Sequence, residues 1–167
     1  MSDDRGREQV PILRCRLGPF EIALPGAQVV EVHRAVAVDP IAGAPASVAG
    51  VVDVRGELLP VLDLGHRFGL ARRNVSPSDA LVMVELPDRR LLLLVDEARS
   101  LTSVPAEALD DAADIVPGAR FLQGVAATPE GPVVISDLAS FLSSDDLVDL
   151  DTALRALDAD PAPVGSA

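Results

Sequence analysis

Short apolar runs of strand length, separated by Gly, Pro and Asp, recur from Val10 onward: "VPILRCRL", "FEIAL", "SVAGVVDV", "ELLPVLDL", "ALVMVEL", "RRLLLLVD", "FLQGVAA" and "GPVVISDL". Turn chemistry at such regular intervals predicts small barrels or a sandwich rather than a parallel α/β sheet. Helices are few and brief. One is expected from about Pro25 to His33, one from Leu64 to Phe68 between Asp63 and Gly69, and one from Asp137 to Leu142. Asp63, and Ser136 or Asp137, suit the N-cap, where a side-chain oxygen accepts from free backbone N–H groups. Beyond them Leu147, Leu150, Leu154 and Leu157 form one stripe of an acidic amphipathic helix, expected to dock on a barrel.

The runs also repeat. "GVVDVRGELLPVLDL" from Gly50 matches "GVAATPEGPVVISDL" from Gly124, with Gly50/Gly124, Val51/Val125, Asp63/Asp137 and Leu64/Leu138 all 74 residues apart. Upstream, Val10 onward matches Ala80 onward at an offset near 70, and Ile22 onward matches Leu93 onward at 71. Ordered matches of this kind predict two small β-barrels of one plan, too small to be stable apart and therefore packed on a shared core.

Composition narrows the partners. The chain of 167 residues carries a formal charge of −12, and its basic residues are all Arg. That balance argues against nucleic acid and against anionic membrane surfaces, which both reward basic patches. With 49% hydrophobic but only 2% aromatic residues, the core must be aliphatic. The lone Cys15 alternates with Leu13 and Leu17 and reads as a core residue. The charged start "MSDDRGREQV" does not read as a signal peptide, and no run reaches the roughly 18 apolar residues of a membrane span. A cytoplasmic location with no membrane insertion is expected.

Catalytic and cofactor motifs are missing from the sequence, so neither cofactor nor metal is expected, and the chain is not read as an enzyme. Asp63 and His66 sit three residues apart on the expected helix and supply the best case for a small hydrolase, but a solvated helix face explains them better. The cluster Asp110, Asp111 and Asp114 lacks the glycine and terminal glutamate of a calcium loop. An oligonucleotide-binding barrel would need stacking aromatics and a basic groove.

Arg55 stands apart because of its setting. Gly56 suits the positive φ of a tight turn, and the turn lifts the preceding side chain out of the pleat. A guanidinium on a stiff hairpin is preorganised for a carboxylate, with two readings open: an internal salt bridge to Asp53 or Glu57, or contact with a partner. Pro60 lacks an N–H, which suits an edge strand or a bulge.

The stretch "PASVAGVVDVRGELLPVLDLGHRFGL" resembles the signature of CheW-like domains, in which a strand enters an Asn-Leu-Arg-Gly turn and leaves through a Pro-Val-Asp-Leu strand end. "FEIALPGAQVVEVHRAVAV", "LLLVDEARSL" and "FLQGVAATPEGPVVISDLASFL" resemble the family's other segments in the right order. The resemblance implies a mostly β fold of two five-stranded, Src-homology-3-like barrels on a shared core, with a few short helices and a C-terminal helix. A single domain is then expected over residues 9–157, with subdomains of about 9–78 and 79–142, possible strand exchange between them, a helix over 145–157, and flexible tails at 1–8 and 158–167.

The same resemblance implies a scaffold rather than an enzyme. Such proteins couple methyl-accepting chemoreceptors to a CheA-type histidine kinase in bacterial chemosensory signalling. They dock on the kinase's regulatory domain, take the receptor's cytoplasmic tip in the groove between the barrels, and are recruited from the cytoplasm to membrane receptor arrays. A surface-motility or other non-flagellar pathway is the alternative. Arg55 matches the family's arginine, Gly50 and Gly56 its glycines, and Glu31, flanked by Val29, Val30 and Val32, its partner-contacting segment. Asp53 replaces the usual Asn, which places a carboxylate beside Arg55, and Phe20-Glu21 replaces the usual aromatic-glycine pair.

Overall fold

The computed structural model describes residues 8–35, 38–44, 46–71, 74–87, 89–106, 109–111, 122–128, 131–136, 151–152 and 155. In chain order the strands are β1 (Gln9–Leu17), β2 (Phe20–Pro25), β3 (Val29–Arg34), β4 (Val48–Val54), β5 (Glu57–Asp63), β6 (Ala80–Leu86), β7 (Arg89–Val95), β8 (Glu97–Pro105), β9 (Leu109–Asp111), β10 (Leu122–Thr128) and β11 (Gly131–Ser136). All eight apolar runs picked out by patterning are strands. A four-residue helix, α1 (Leu64–Arg67), follows β5 where expected, with Asp63 at the N-cap position but no capping hydrogen bond from its side chain. The helix expected from Pro25 is instead a 3-10 turn over Gly26–Gln28 that leads into β3, because "VVEVHR" alternates half-buried and exposed residues at period two. The helix expected at residues 137–142 lies outside the described residues. Of the one expected over 145–157, residues 151, 152 and 155 are described and helical.

Among the described residues the strands form two sheets, ordered β8-β1-β2-β11-β10-β9 and β3-β6-β7-β5-β4. The two are copies of one plan. Every register pair of the β4–β5 hairpin, from Val48↔Leu62 to Val54↔Glu57, reappears 74 residues later in β10–β11, including the bulge before Gly50 and Gly124. Hairpin β1–β2 corresponds to β6–β7, with Arg14 opposite Ala23 in one and Met83 opposite Leu92 in the other. Edge strand β8 corresponds to β3, Leu101 facing Leu13 as Val32 faces Val82. The six-stranded sheet owes its extra strand to β9, whose counterpart is the single bridge between Asp39 and Val51.

One correction follows. The upstream repeat is 69 residues, not 70 or 71, since Arg14 matches Met83 and Ala23 matches Leu92. A one-residue slip would swap the faces of the hairpin strands. The sheets exchange strands between the two halves of the chain: β1 and β2 pair with β8 and β11, while β6 and β7 pair with β3 and β5. Each half thus gives its first hairpin to the other half's sheet.

Packing explains why the exchanged hairpins are so apolar. Leu13, Cys15, Leu17, Ile22 and Leu24 meet Val82, Val84, Leu91, Leu93 and Val95 in one buried layer. The other faces of the same strands fill two separate interiors, Ala23 with Ile12, Val104, Val133 and Ile135, and Met83 with Val52, Leu59, Val61, Leu81 and Leu92. Strands buried on both faces read as continuous apolar runs, as "RRLLLLVD" does. Cys15 lies within the shared layer, where burial pushes its thiol up to about 12, leaving it protonated and unreactive at neutral pH.

Candidate functional site

The β4–β5 hairpin closes with Val54 opposite Glu57, leaving Arg55 and Gly56 as a two-residue loop. Both take positive φ, 53° and 89°, the signature of a type I′ turn whose twist matches the flanking strands. Arg55 is the only non-glycine residue of positive φ among the described residues. Its conformation is unusual for an L-residue and puts the guanidinium at the far tip of a stiff ribbon. The turn is held by Asp53, whose Oδ1 accepts the Gly56 N–H at 2.7 Å. Aspartate binding the backbone just beyond itself is a local turn lock. So the carboxylate offered as an internal partner for Arg55 is occupied elsewhere, and Glu57 lies 3.7 Å from Arg90.

Arg55 pairs instead with Glu31, which also belongs to the expected contact set. Nη1 donates to Oε1 at 3.0 Å and Nη2 to Oε2 at 3.1 Å, a two-pronged pair across 24 residues of sequence. The Arg55 side chain remains 73% exposed, and that of Glu31 30%. Arg55's hydrogen bonds hold the Glu31 carboxyl below its ordinary range against an opposing push from desolvation, helped by the charges of Arg55 and His33. Reciprocally, Glu31 raises the guanidinium's affinity for its proton. His33 Nε2 lies 2.7 Å from Glu31 Oε2.

Beneath this cluster is a recess of about 230 Å³ lined by His33, Arg34, Asp53 and Arg55, with Val52, Leu81 and Leu92 below. Those three apolar side chains belong to the interior of the five-stranded sheet, so the cluster sits at the mouth of that interior.

The other expected contact residues divide by burial. Val32 is 47% exposed on edge strand β3, whereas Val29 is half-buried against the shared layer. Gly50 is buried, and a Cβ there would run into the carbonyl oxygen of Asp39, which exchanges both backbone hydrogen bonds with Val51. Those bonds also explain Pro60. Because Val51 turns its N–H and C=O to Asp39, the nitrogen of Pro60 opposite it faces β7, where pairing with β5 begins only at Val61. Proline therefore sits on an inner strand, not an edge, at a step where the ladder has not yet begun.

Val30, which flanks Glu31 in the expected segment, is 42% exposed beside Val32. Sequence reasoning missed His33 as the third member of the Glu31 cluster, which the alternation of "VVEVHR" carried, had it been read as a strand. Asp63 and His66 are not brought together in a cleft: Asp63 lines a recess of about 270 Å³ with Asp96, Gly18 and Leu70, and His66 is exposed outside that lining. Among the described residues no three His, Cys, Asp or Glu side chains cluster as metal ligands, and no helix is long and apolar enough to cross a membrane.

Comparison with known proteins shows the family. The chain is 25% identical over 146 residues to the chemotaxis protein CheW of Treponema pallidum, covering 84% of this chain and 86% of that one. It is 26% identical over 143 residues to the chemotaxis protein CheW of Rhizobium meliloti, with coverage of 84% and 90%. In fold it matches the crystal structure of the scaffolding protein TtCheW from Thermoanaerobacter tengcongensis, with a TM-score of 0.75 at 23% identity over 83% of this chain and 96% of that one. The family model for the CheW-like domain matches residues 11–146, from β1 to beyond β11 and across both copies of the repeat, and this chain belongs to that family.

Proposed function

We propose that this chain is a non-catalytic adapter of a bacterial chemosensory pathway, coupling methyl-accepting chemoreceptors to a CheA-type histidine kinase, with the Arg55 hairpin as one of its contact surfaces. Family membership supports the adapter role. The observation that carries the site is Arg55 itself, held at a hairpin tip and oriented by Glu31 yet 73% exposed. A guanidinium so presented exchanges one carboxylate for another at little conformational cost, since its stem is already extended and its plane fixed.

Val30 and Val32 add an exposed apolar strip on the edge strand that carries Glu31. Apolar contact beside a charge pair suits a docking surface in which the former supplies affinity and the latter register. Gly56 and Gly50 contribute by letting the hairpin form, and Val29 by anchoring β3 to the shared layer. The kinase's regulatory domain and the receptor's cytoplasmic tip are the partners of this reading, met in the cytoplasm at receptor arrays.

The test is recovery of partners from native cytosol and membranes, comparing wild type with Arg55→Glu. Wild type is expected to bring down a CheA-type kinase and chemoreceptors, and the folded variant to lose them by tenfold or more. Unfolding of the variant, or unchanged recovery, removes Arg55 from the contact surface. Recovery of neither partner by folded wild type overturns the adapter reading.

A further inference from the structure

Glu31 Oε2 is claimed from two sides. Arg55 Nη2 donates to it at 3.1 Å, and His33 Nε2 approaches it to 2.7 Å. That ring nitrogen is closed off from solvent and meets Glu31 without the alignment of a hydrogen bond. Two lone pairs do not sit at such a distance, so Nε2 carries a proton in this arrangement and the second proton of the ring would go to Nδ1. Its arrival turns a poorly aligned neutral neighbour into a cation that attracts Oε2 and repels the guanidinium.

The charged groups around His33 fix the direction of the effect. On its own strand stand Glu31 and Arg34, and the β4–β5 hairpin contributes Asp53 and Arg55 to the same recess. Strand β6 places Leu81 opposite His33, and β7 lines the recess with Leu92, neither of which titrates. Asp53 is committed to the Gly56 N–H. Glu31 is thus the carboxylate with which a charged His33 can engage, and Arg55 is the group that gives way.

We propose that His33 is a proton-dependent positioning residue, whose charging loosens Glu31 from Arg55 and frees the guanidinium for a carboxylate of the docking partner. The proposal rests on the adapter reading for the partner, while the coupling between His33 and Arg55 belongs to this chain alone. Imidazole side chains as a class change charge between about pH 5 and 8, the span over which the coupling is to be sought.

The experiment uses the full chain with labelled arginine and histidine side chains, followed by NMR from pH 8 to 5.5 in wild type, His33→Gln and, should that variant fail to fold, His33→Asn. The Arg55 side-chain signal is expected to move with the midpoint of the His33 ring and to stay flat in the variant. A flat signal in wild type, or equal movement in the variant, overturns the proposal. In parallel, binding to a purified CheA-type regulatory domain should tighten roughly two- to fivefold on acidification in wild type beyond any change in the variant. An equal pH dependence in both overturns the functional half. Absence of binding at every pH sinks the adapter reading and leaves the Arg55 signal to decide the coupling by itself.

Discussion

Val54 and Thr128 end the first strands of two hairpins that share one register, yet the chain beyond them is used differently. In the six-stranded sheet the polar group turns inward. Arg14, 5% exposed, donates through Nη2 to Glu21 Oε1 at 2.8 Å and through Nη1 to Thr128 at 3.4 Å, and Thr128 in turn donates to the Gly131 carbonyl at 2.6 Å. In the five-stranded sheet Arg14's counterpart is Met83, buried in the interior, and the arginine has moved to the hairpin tip. One copy closes its own mouth with an ion pair. The other leaves a recess there and holds its arginine outside, on the Glu31 carboxylate. A duplicated plan has therefore yielded one unit that seals and one that presents.

The most damaging way to break this comparison is to remove the acid from the sealed side. Glu21→Leu removes the carboxylate that the buried Arg14 guanidinium meets at 2.8 Å, and breaking a buried ion pair from one side is expected to cost about 3 kcal/mol. Replacing Arg14 by Met, the residue its counterpart uses, should be far milder, because Glu21 is a third exposed and has Arg99 at 3.7 Å. Urea unfolding with a common slope would read both. Small losses in both would mean that the pair is dispensable and the asymmetry decorative.

Next in size is Gly50→Ala, which sharpens the comparison at a position where the two copies agree. The new methyl would displace Asp39 and its exchange of hydrogen bonds with Val51, an overpacking expected to cost about 2 kcal/mol. Gly124 stands at the same bulge, and Val125 pairs with Asp110 as Val51 pairs with Asp39. Gly124→Ala should therefore lower the urea midpoint similarly. A silent Gly124→Ala would show that the second bulge keeps its form for another reason.

The sequence made the inner strands legible because their burial is written in it. Strands packed on one or both faces alternate or run apolar, and the same constraint preserved the 74-residue repeat. The edge strands β8 and β9 carry no such record. β8, "EARSLTSVP", is exposed over most of its length, and β9 is three residues long, so neither left a pattern to read. At the site, turn chemistry located Arg55 without knowledge of the fold. Its pairing with Glu31 was out of reach, because the two meet only when β3 adds to β6 in a sheet that borrows β6 and β7 from the other half. Local sequence offered Asp53 and Glu57 as the nearer acids, and proximity along the chain was the wrong guide.

The smallest expected effect concerns the presenting side under acid. Glu31 is held below the ordinary carboxylate range in the folded protein, first by Arg55's hydrogen bonds, so what the pair contributes is fully present above about pH 4.3, where an unfolded glutamate titrates, and is lost as pH falls through the lowered folded value. Both groups are reached by solvent, and screened pairs of this kind contribute little, so the unfolding midpoint of Glu31→Gln should be indistinguishable from wild type at pH 7. The Arg55 side-chain NMR signal is the sensitive reading. In His33→Gln, which lacks the step at higher pH, it should remain in its paired position at pH 4.3 and leave it only at lower pH, converging on the position that Glu31→Gln shows throughout. If Glu31→Gln matches wild type at pH 7, Arg55 is already free in solution, and the hairpin presents its charge without any carboxylate to hold it.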